Sequence, residues 1–331
     1  MILAGDIGGT KTNLALYELV DNKLITLTQH QFVSAEFISL LDVIIEFEKM
    51  ASMPEIHAAC FGIAGPVIDG CCRTTNLPWE ITTSALSKHL GIDTIRLLND
   101  LEATAYGMLY LKEEEFFHLN PTSQQVDGNR AVIAAGTGLG EAMLLYDGKT
   151  YYPVGSEGGH CDFAPLSQQQ DELLQWMRKR YPKHVSYERI LSGPGIYALY
   201  EFLHESGFAS QPKSMMEISE DEDKSAMVSR CALDDNDPLC MEALRLFVEI
   251  YGAEAGNLAL KSMSLGGVYI GGGIAPKILS VMKNGNFMNS FVRKGRFEEL
   301  LLSMDVKIAL NPETALLGAA HFAADTLIIF E

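Results

Sequence analysis

The chain uses one short design twice: an apolar run, a turn of glycines carrying a threonine, then a second apolar run. It opens with Leu3-Ala-Gly-Asp-Ile-Gly-Gly-Thr-Lys-Thr-Asn-Leu-Ala-Leu16 and returns at Ala131-Val-Ile-Ala-Ala-Gly-Thr-Gly-Leu-Gly-Glu-Ala-Met-Leu-Leu-Tyr146. The first copy fits neither of two familiar phosphate loops. A Walker A loop needs a glycine, four residues and then Gly-Lys-Ser/Thr, and counting on from Gly5 reaches Thr10 where the second glycine should stand. A dinucleotide fingerprint runs into a helix, whereas Leu14 and Leu16 continue here with the period of two of a strand. What remains is strand, tight turn, strand, and its recurrence points to a duplicated architecture.

Around these hairpins the elements alternate. The pattern predicts a helix around residues 37–50, a strand over 57–63, and a strand over 94–98 running into a helix over 101–110; alternation of this kind favours an α/β fold. Residues 166–265 read mainly as helix, broken by Ser192-Gly-Pro-Gly195 and by the acidic segment Glu217–Asp223, read as a solvated surface. A strand over 268–270 leads into Gly271-Gly-Gly273 and a helix. Near the end, Asn311 reads as an N-cap with Pro312 at the first helical position, and Gly318, Ala319 and Ala320 allow close packing of that helix. A chain of 331 residues that is 47% hydrophobic can bury two cores, so two domains with a cleft between them are expected.

The net charge of −18 repels phosphate backbones and anionic surfaces, which argues against nucleic acid and membrane partners. The first residues enter the glycine motif at once, so a cytosolic protein is expected. Cys60, Cys71, Cys72, Cys161, Cys231 and Cys240 form no C-x-x-C pair and read as reduced, structural thiols.

Glycines at a strand-to-strand turn let backbone N–H groups converge on one spot without interference from Cβ, which makes an anion-binding concavity. Thr10 and Thr137 add a hydroxyl to each turn, and Gly271, Gly272 and Gly273 follow a strand as a nucleotide-facing turn would. The candidate phosphate site therefore comprises Gly8, Gly9, Thr10 and Lys11, Gly136, Thr137 and Gly138, with the third cluster beside them. Asp6 lies just before the first turn, where phosphates would repel it unless a divalent cation stood between, so Asp6 is expected to meet Mg²⁺ through water. Asn99-Asp100 stands at a strand end before a helix, where side chains project into a cleft; either residue could equally cap that helix. Glu157-Gly-Gly-His160 has the spacing of a helical metal pair, but its glycines disfavour a helix. On its own pattern Glu188 reads as a solvated charge.

In order, "GDIGGTKTNLAL", "FGIAGPV", "LLNDLEATAYG", "AAGTGLGEA", "GSEGGHCDFAP", "HVSYERILSGPGI" and "YIGGGIAPKI" resemble the motifs of the bacterial glucokinases, a family in the actin, hexokinase and heat-shock ATPase superfamily, from Gly5 to about Ala320. The resemblance implies a two-domain actin-like (ribonuclease H-like) α/β fold with an interdomain cleft, divided as a small α/β domain (1–110 plus 301–331) and a large α+β domain (111–300). It implies that ATP with Mg²⁺ phosphorylates the 6-hydroxyl of glucose. It gives Asp100 the role of general base and puts Asn99, Glu157, His160 and Glu188 on sugar hydroxyls. A homodimer is implied as well, with the large domain as its contact surface. Another hexose, such as mannose or an N-acetylated hexosamine, remains the alternative substrate, and a non-catalytic nucleotide switch the reading from a different class. One departure stands out: a related repressor and kinase branch carries a zinc-binding cysteine cluster after Glu-x-x-His, and Cys161-Asp-Phe-Ala-Pro-Leu-Ser-Gln168 lacks it. No zinc is expected, Cys161 reads as a packed thiol, and the repressor branch is not expected, since no helix-turn-helix precedes Gly5.

Overall fold

A computed structural model describes residues 1–21, 23–51, 54–74, 77–121, 126–219 and 222–330. Strands β1 (Ile2–Ile7), β2 (Lys11–Val20) and β3 (Lys23–Val33) run antiparallel. Helix α1 (Leu40–Met50) follows, then β4 (Ala58–Ile63) and β5 (Ile95–Asn99) pair in parallel beside β1, giving the order β3-β2-β1-β4-β5. Helix α2 (Asp100–Gly107) leads out of this sheet. The second sheet is built from β6 (Phe116–Asn120), β7 (Arg130–Ala135), β8 (Leu139–Tyr146), β9 (Tyr151–Ser156), β10 (Val268–Gly271) and β11 (Val306–Ala309) in the order β9-β8-β7-β10-β11-β6. In each of these two sheets the first strand of a glycine hairpin has antiparallel partners on one side and parallel strands on the other, and β6 adds an antiparallel edge to the second sheet. The duplication legible in the sequence is thus a duplication of sheet order.

Burial explains the apolar run of β4. All six residues of β4 are buried, because helices cover both faces of the sheet. One face packs Leu3, Leu14 and Phe61 on Val43, Ile44 and Phe47 of α1. The other packs Ala4, Ala15 and Cys60 on Leu316, Ala319 and Ala320 of the last helix. The second sheet rests on the long helix α3 (Pro238–Ser262), started by Asp237, whose carboxylate accepts the Leu239 and Cys240 N–H groups at 3.1 and 3.0 Å. That last helix, α4 (Thr314–Phe330), lies against β1, β4 and α2. A Cβ on Gly318 would sit 1.9 Å from Ala103 O, and one on Gly107 2.0 Å from Thr314 O, so both glycines are needed where α2 and α4 touch.

Helix α2 is a wedge between the two sheets. Its Ala103 belongs to the core of the first sheet, and its Ala105 and Met108 pack with Val132, Ala142 and Leu144 of the second. Leu101 fits so closely against β8 that any side chain at Gly140 would collide with it. The residues at the N-terminus of α2 are therefore held by both halves of the molecule.

Strand β11 pairs in parallel with β10 in the second sheet. Some expectations need adjustment. Helix α1 begins at Leu40, where the Ser39 hydroxyl accepts the Asp42 N–H at 3.2 Å. Helix α4 begins at Thr314, although Asn311 does cap the turn before it through a 2.8 Å bond from the Glu313 N–H. After Gly273 two short helical pieces, Ile274–Lys277 and Leu279–Met282, replace one helix. In the acidic segment Glu217, Glu222 and Asp223 are exposed, and Glu220 and Asp221 lie outside the described residues. Cys161 is exposed, not packed: it follows the turn at Gly158–His160 on the outside, while all six cysteines are free thiols. Among the described residues no helix is long and apolar enough to cross a membrane.

Candidate active site

Parallel register brings the first cluster together. Asp6 is level with Gly62, and Ile63 with Asn99, so the carboxyl ends of β1, β4 and β5 present Asp6 and Asn99-Asp100 along one edge. Two strand spacings separate β1 from β5, roughly 10 Å. Burial lifts the Asp6 carboxyl above the usual carboxylate range, opposed by the Asn13 amide, which donates to Oδ2 at 3.3 Å. Asp100 is pushed up to about 6, first by burial, then by the negative charge of Asp6, with a further push from Glu157; the Leu101 N–H, 2.9 Å from its Oδ1, opposes them. Three carboxylates from three elements thus share one electrostatic site.

Asn99 is a cap and still has capacity to spare. Its Oδ1 accepts the Leu101 N–H at 2.9 Å and its Nδ2 donates to Gly65 O at 3.0 Å. An amide has two donor hydrogens and two acceptor lone pairs, so a second donor and a second acceptor site are left. The two readings of this residue are compatible.

The sugar candidates lie on the second unit. Gly158–His160 forms a single 3₁₀ turn after β9, closed by the His160 N–H donating to Glu157 O at 3.0 Å; its glycines keep it from being an α-helix. His160 Nε2 stands 3.8 Å from Glu188 Oε1, while Glu188 Oε2 accepts the Leu139 N–H at 3.1 Å. Glu188 therefore sits at the foot of the second glycine hairpin.

The phosphate candidates are exposed turns with buried props. Thr10 and Thr137 are exposed at the two hairpin tips, and Lys11 is exposed at the start of β2. Within the first turn Gly8 N–H donates to Lys11 O at 2.9 Å; within the second Gly136 N–H donates to Gly138 O at 2.8 Å. Because β7 and β10 are parallel with Ala134 level with Gly271, Gly271–Gly273 emerges next to Gly136–Gly138. Gly272 has φ +78°, and a Cβ there would lie 2.3 Å from Ala135 O, so only glycine fits.

Sequence reasoning missed the props. Ser34, fully buried, donates its hydroxyl to Gly8 O at 2.9 Å and its N–H to Thr10 O at 3.0 Å, which fixes the first turn. Tyr251 does the same for the second: its hydroxyl accepts the Ala135 N–H and donates to Ile133 O, both at 3.2 Å. Neither belongs to a motif; each arrives from a distant element, and no local signal marks it.

Across residues 3–326 the chain matches the family described as Glucokinase. A glucokinase of Nostoc punctiforme is 41% identical over 337 residues, covering 98% of this chain and 99% of its own. Among solved structures, a glucokinase from an Antarctic psychrotroph superposes with a TM-score of 0.85 at 30% identity, covering 98% of both chains. A glucokinase of the ROK family from Streptomyces griseus, in complex with glucose and AMPPNP, has a TM-score of 0.67 at 18% identity over 98% of this chain and 99% of its own, and shares the fold alone. The fold is the two-domain actin-like α/β fold.

Proposed function

Since the chain belongs to the glucokinase family, whose members transfer the γ-phosphoryl of ATP to glucose to give glucose 6-phosphate, we propose how its own residues divide that work. Asp100 accepts the proton of the glucose 6-hydroxyl as the oxygen attacks. A carboxyl poised near 6 is mostly ionised at neutral pH yet basic enough to take a proton, which suits a general base. Such a base contributes roughly 10²–10⁴ in rate, and the remainder falls to positioning and charge neutralisation. Asn99, Glu157, His160 and Glu188 bind the other hydroxyls. Backbone N–H groups and the hydroxyls of Thr10 and Thr137 hold the phosphates, with Lys11 and Gly271–Gly273 at the nucleotide. The observation that carries these roles is the meeting of Asp6, Asp100 and Glu157 beside the paired glycine turns.

The donor set suits Mg²⁺. Asp6 is a half-buried carboxylate with a single side-chain donor, and among the described residues no group of three or more His, Cys, Asp or Glu could hold a metal ion unaided. That is the situation of a cation bound by one carboxylate, waters and substrate phosphates. When bound, Mg²⁺ would draw charge off the transferring phosphoryl group. Closure of the small unit, 1–110 plus 301–331, over the large unit, 111–300, excludes water. A homodimer and a cytosolic location belong to the same reading, supported by the family resemblance.

An assay coupled to ADP release, run with ATP and a panel of glucose, mannose and N-acetylated hexosamines, tests the reading. Turnover should require a sugar and be fastest with glucose. Sugar-independent turnover, or a stronger preference for another hexose, refutes it. Light scattering after gel filtration measures the subunit number, and a single-chain mass would remove the dimer.

A further inference from the structure

Beneath the turn that carries Glu157 and His160 lie two carboxylates with no part in the chemistry above. Glu141 of β8 and Glu254 of α3 are 1% and 0% exposed, and the Oε1 atom of each is buried without a hydrogen-bond partner among the described residues. Glu254 has other company: Asn257 Nδ2 donates to its Oε2 at 2.8 Å, Lys261 Nζ is 3.5 Å from its Oε1, and the Lys294 ammonium and Tyr187 hydroxyl lie in its field. Glu141 faces Glu254, Lys261 and Tyr251 from the helix, and Ser156 and Gly158 from the turn. Its contact with the turn is close enough that a Cβ at Gly158 would fall 2.0 Å from Glu141 Oε2. At the next residue, a Cβ on Gly159 would fall 2.1 Å from Leu139 O. The turn is seated directly on β8, with the Glu141 carboxyl as part of the seat.

We propose that Glu141 and Glu254 share a single proton as a buried carboxyl pair, and that Glu141 is thereby a positioning residue for the sugar-facing turn Glu157–His160. The argument is electrostatic. Two carboxylates out of water repel strongly, so one of them stays neutral, as in other paired buried acids. Lys261 and Asn257 sit on Glu254, whereas Glu141 is 1% exposed and its Oε1 has no donor among the described residues, so the proton is placed on Glu141. Burial and then the Glu254 charge raise the Glu141 carboxyl to about 7, with Lys261 opposing. Loss of that proton puts a second negative charge under Gly158, and the turn is what can yield. Glucose affinity therefore weakens as pH rises through neutrality. The positioning role rests on the proposal that this turn binds glucose; the shared proton does not.

Two readouts separate the parts. Glucose Kd, measured without nucleotide by calorimetry, should rise about tenfold between about pH 6 and about pH 8.5 in the wild type and stay nearly flat in Glu141→Gln, which keeps the neutral shape. The melting temperature without sugar should fall over the same range in the wild type and much less in Glu141→Gln. The sign follows from a raised acid: its stabilisation is present below the unfolded value and lost as pH rises through the folded one. Glu254→Gln, which removes the neighbouring charge, should move both transitions to lower pH and serves if the first variant does not fold. Wild-type pH dependence retained in both variants overturns the pair. A melting difference without any pH dependence of Kd overturns the positioning role. If Glu157→Gln and His160→Ala leave Kd unchanged, the turn does not bind sugar; the positioning role falls with the functional reading, and the melting comparison still decides on the proton.

Discussion

The Glu102 carboxylate ties Asn99 to the opposite unit: Oε2 accepts the Asn99 N–H at 2.8 Å while Oε1 accepts the Gly155 N–H of β9 at 3.1 Å. One side chain thus completes the cap of α2 and fastens that cap to the strand leading to the sugar turn. Glu102→Ala should cost about 1–2 kcal/mol, the loss of a cap and a charge-assisted bond. Because the same contacts aim Asp100, kcat should fall as well, several-fold. Thermal melting and steady-state kinetics check both, and an unchanged kcat would show that Asp100 is positioned without it.

Asp100 carries the sharpest test. Asp100→Asn should lower kcat by roughly 10²–10⁴ while glucose Kd stays within a few-fold. Since the ionised form is the proposed base, wild-type kcat/KM should fall as pH drops below about 6, the value to which burial and Asp6 raise this carboxyl. Stability runs the other way. A raised acid stabilises the fold below its unfolded value and loses that contribution as pH climbs through about 6, so Asp100→Asn should be at least as stable as the wild type at neutral pH. A variant less stable at neutral pH would contradict the buried-carboxylate picture.

The props of the glycine turns predict effects confined to nucleotide. Ser34→Ala leaves Gly8 O without its buried donor and removes the Thr12 partner 3.0 Å away, a loss of about 1–3 kcal/mol. KM for ATP should rise several-fold with KM for glucose little changed. Gly272→Ala forces a positive φ on a residue with a side chain and drives it into Ala135 O, so it should both destabilise and weaken ATP binding. Equal changes in both KM values would mean that these turns do not divide the substrates as proposed.

How much of this could be read from the chain depends on the range of the interaction. The hairpins, the strands around 57–63 and 94–98 and the capping side chain of Asn311 are local patterns and were legible as such, although the helix after Asn311 begins only at Thr314. The family motifs carried the proposed sugar residues, and the structure brings His160 to Glu188 and sets Asp100 in the field of Asp6 and Glu157. What stayed hidden was set by tertiary packing: the hydroxyls of Ser34 and Tyr251, and the buried Glu141 and Glu254 far apart in sequence. The exposure of Cys161 was misjudged for the same reason, since only the path of the chain after a 3₁₀ turn decides which side its thiol faces.

In the proposed arrangement Glu188 joins the two substrates' sites, and its variants should reveal that. One carboxylate oxygen is occupied by the Leu139 N–H at the foot of the second hairpin, and the other faces His160. Glu188→Gln keeps an acceptor for Leu139 but forfeits the charge, so it should raise KM for glucose and leave KM for ATP alone. Glu188→Ala removes both contacts. Its KM for glucose should rise roughly 10–100-fold, the cost of a lost charged hydrogen bond, and its KM for ATP should rise too because the hairpin loses its anchor. The difference between the two variants in KM for ATP isolates the Leu139 contact. If Glu188→Ala disturbs neither constant, this carboxylate faces neither substrate, and the sugar site must be built from other residues.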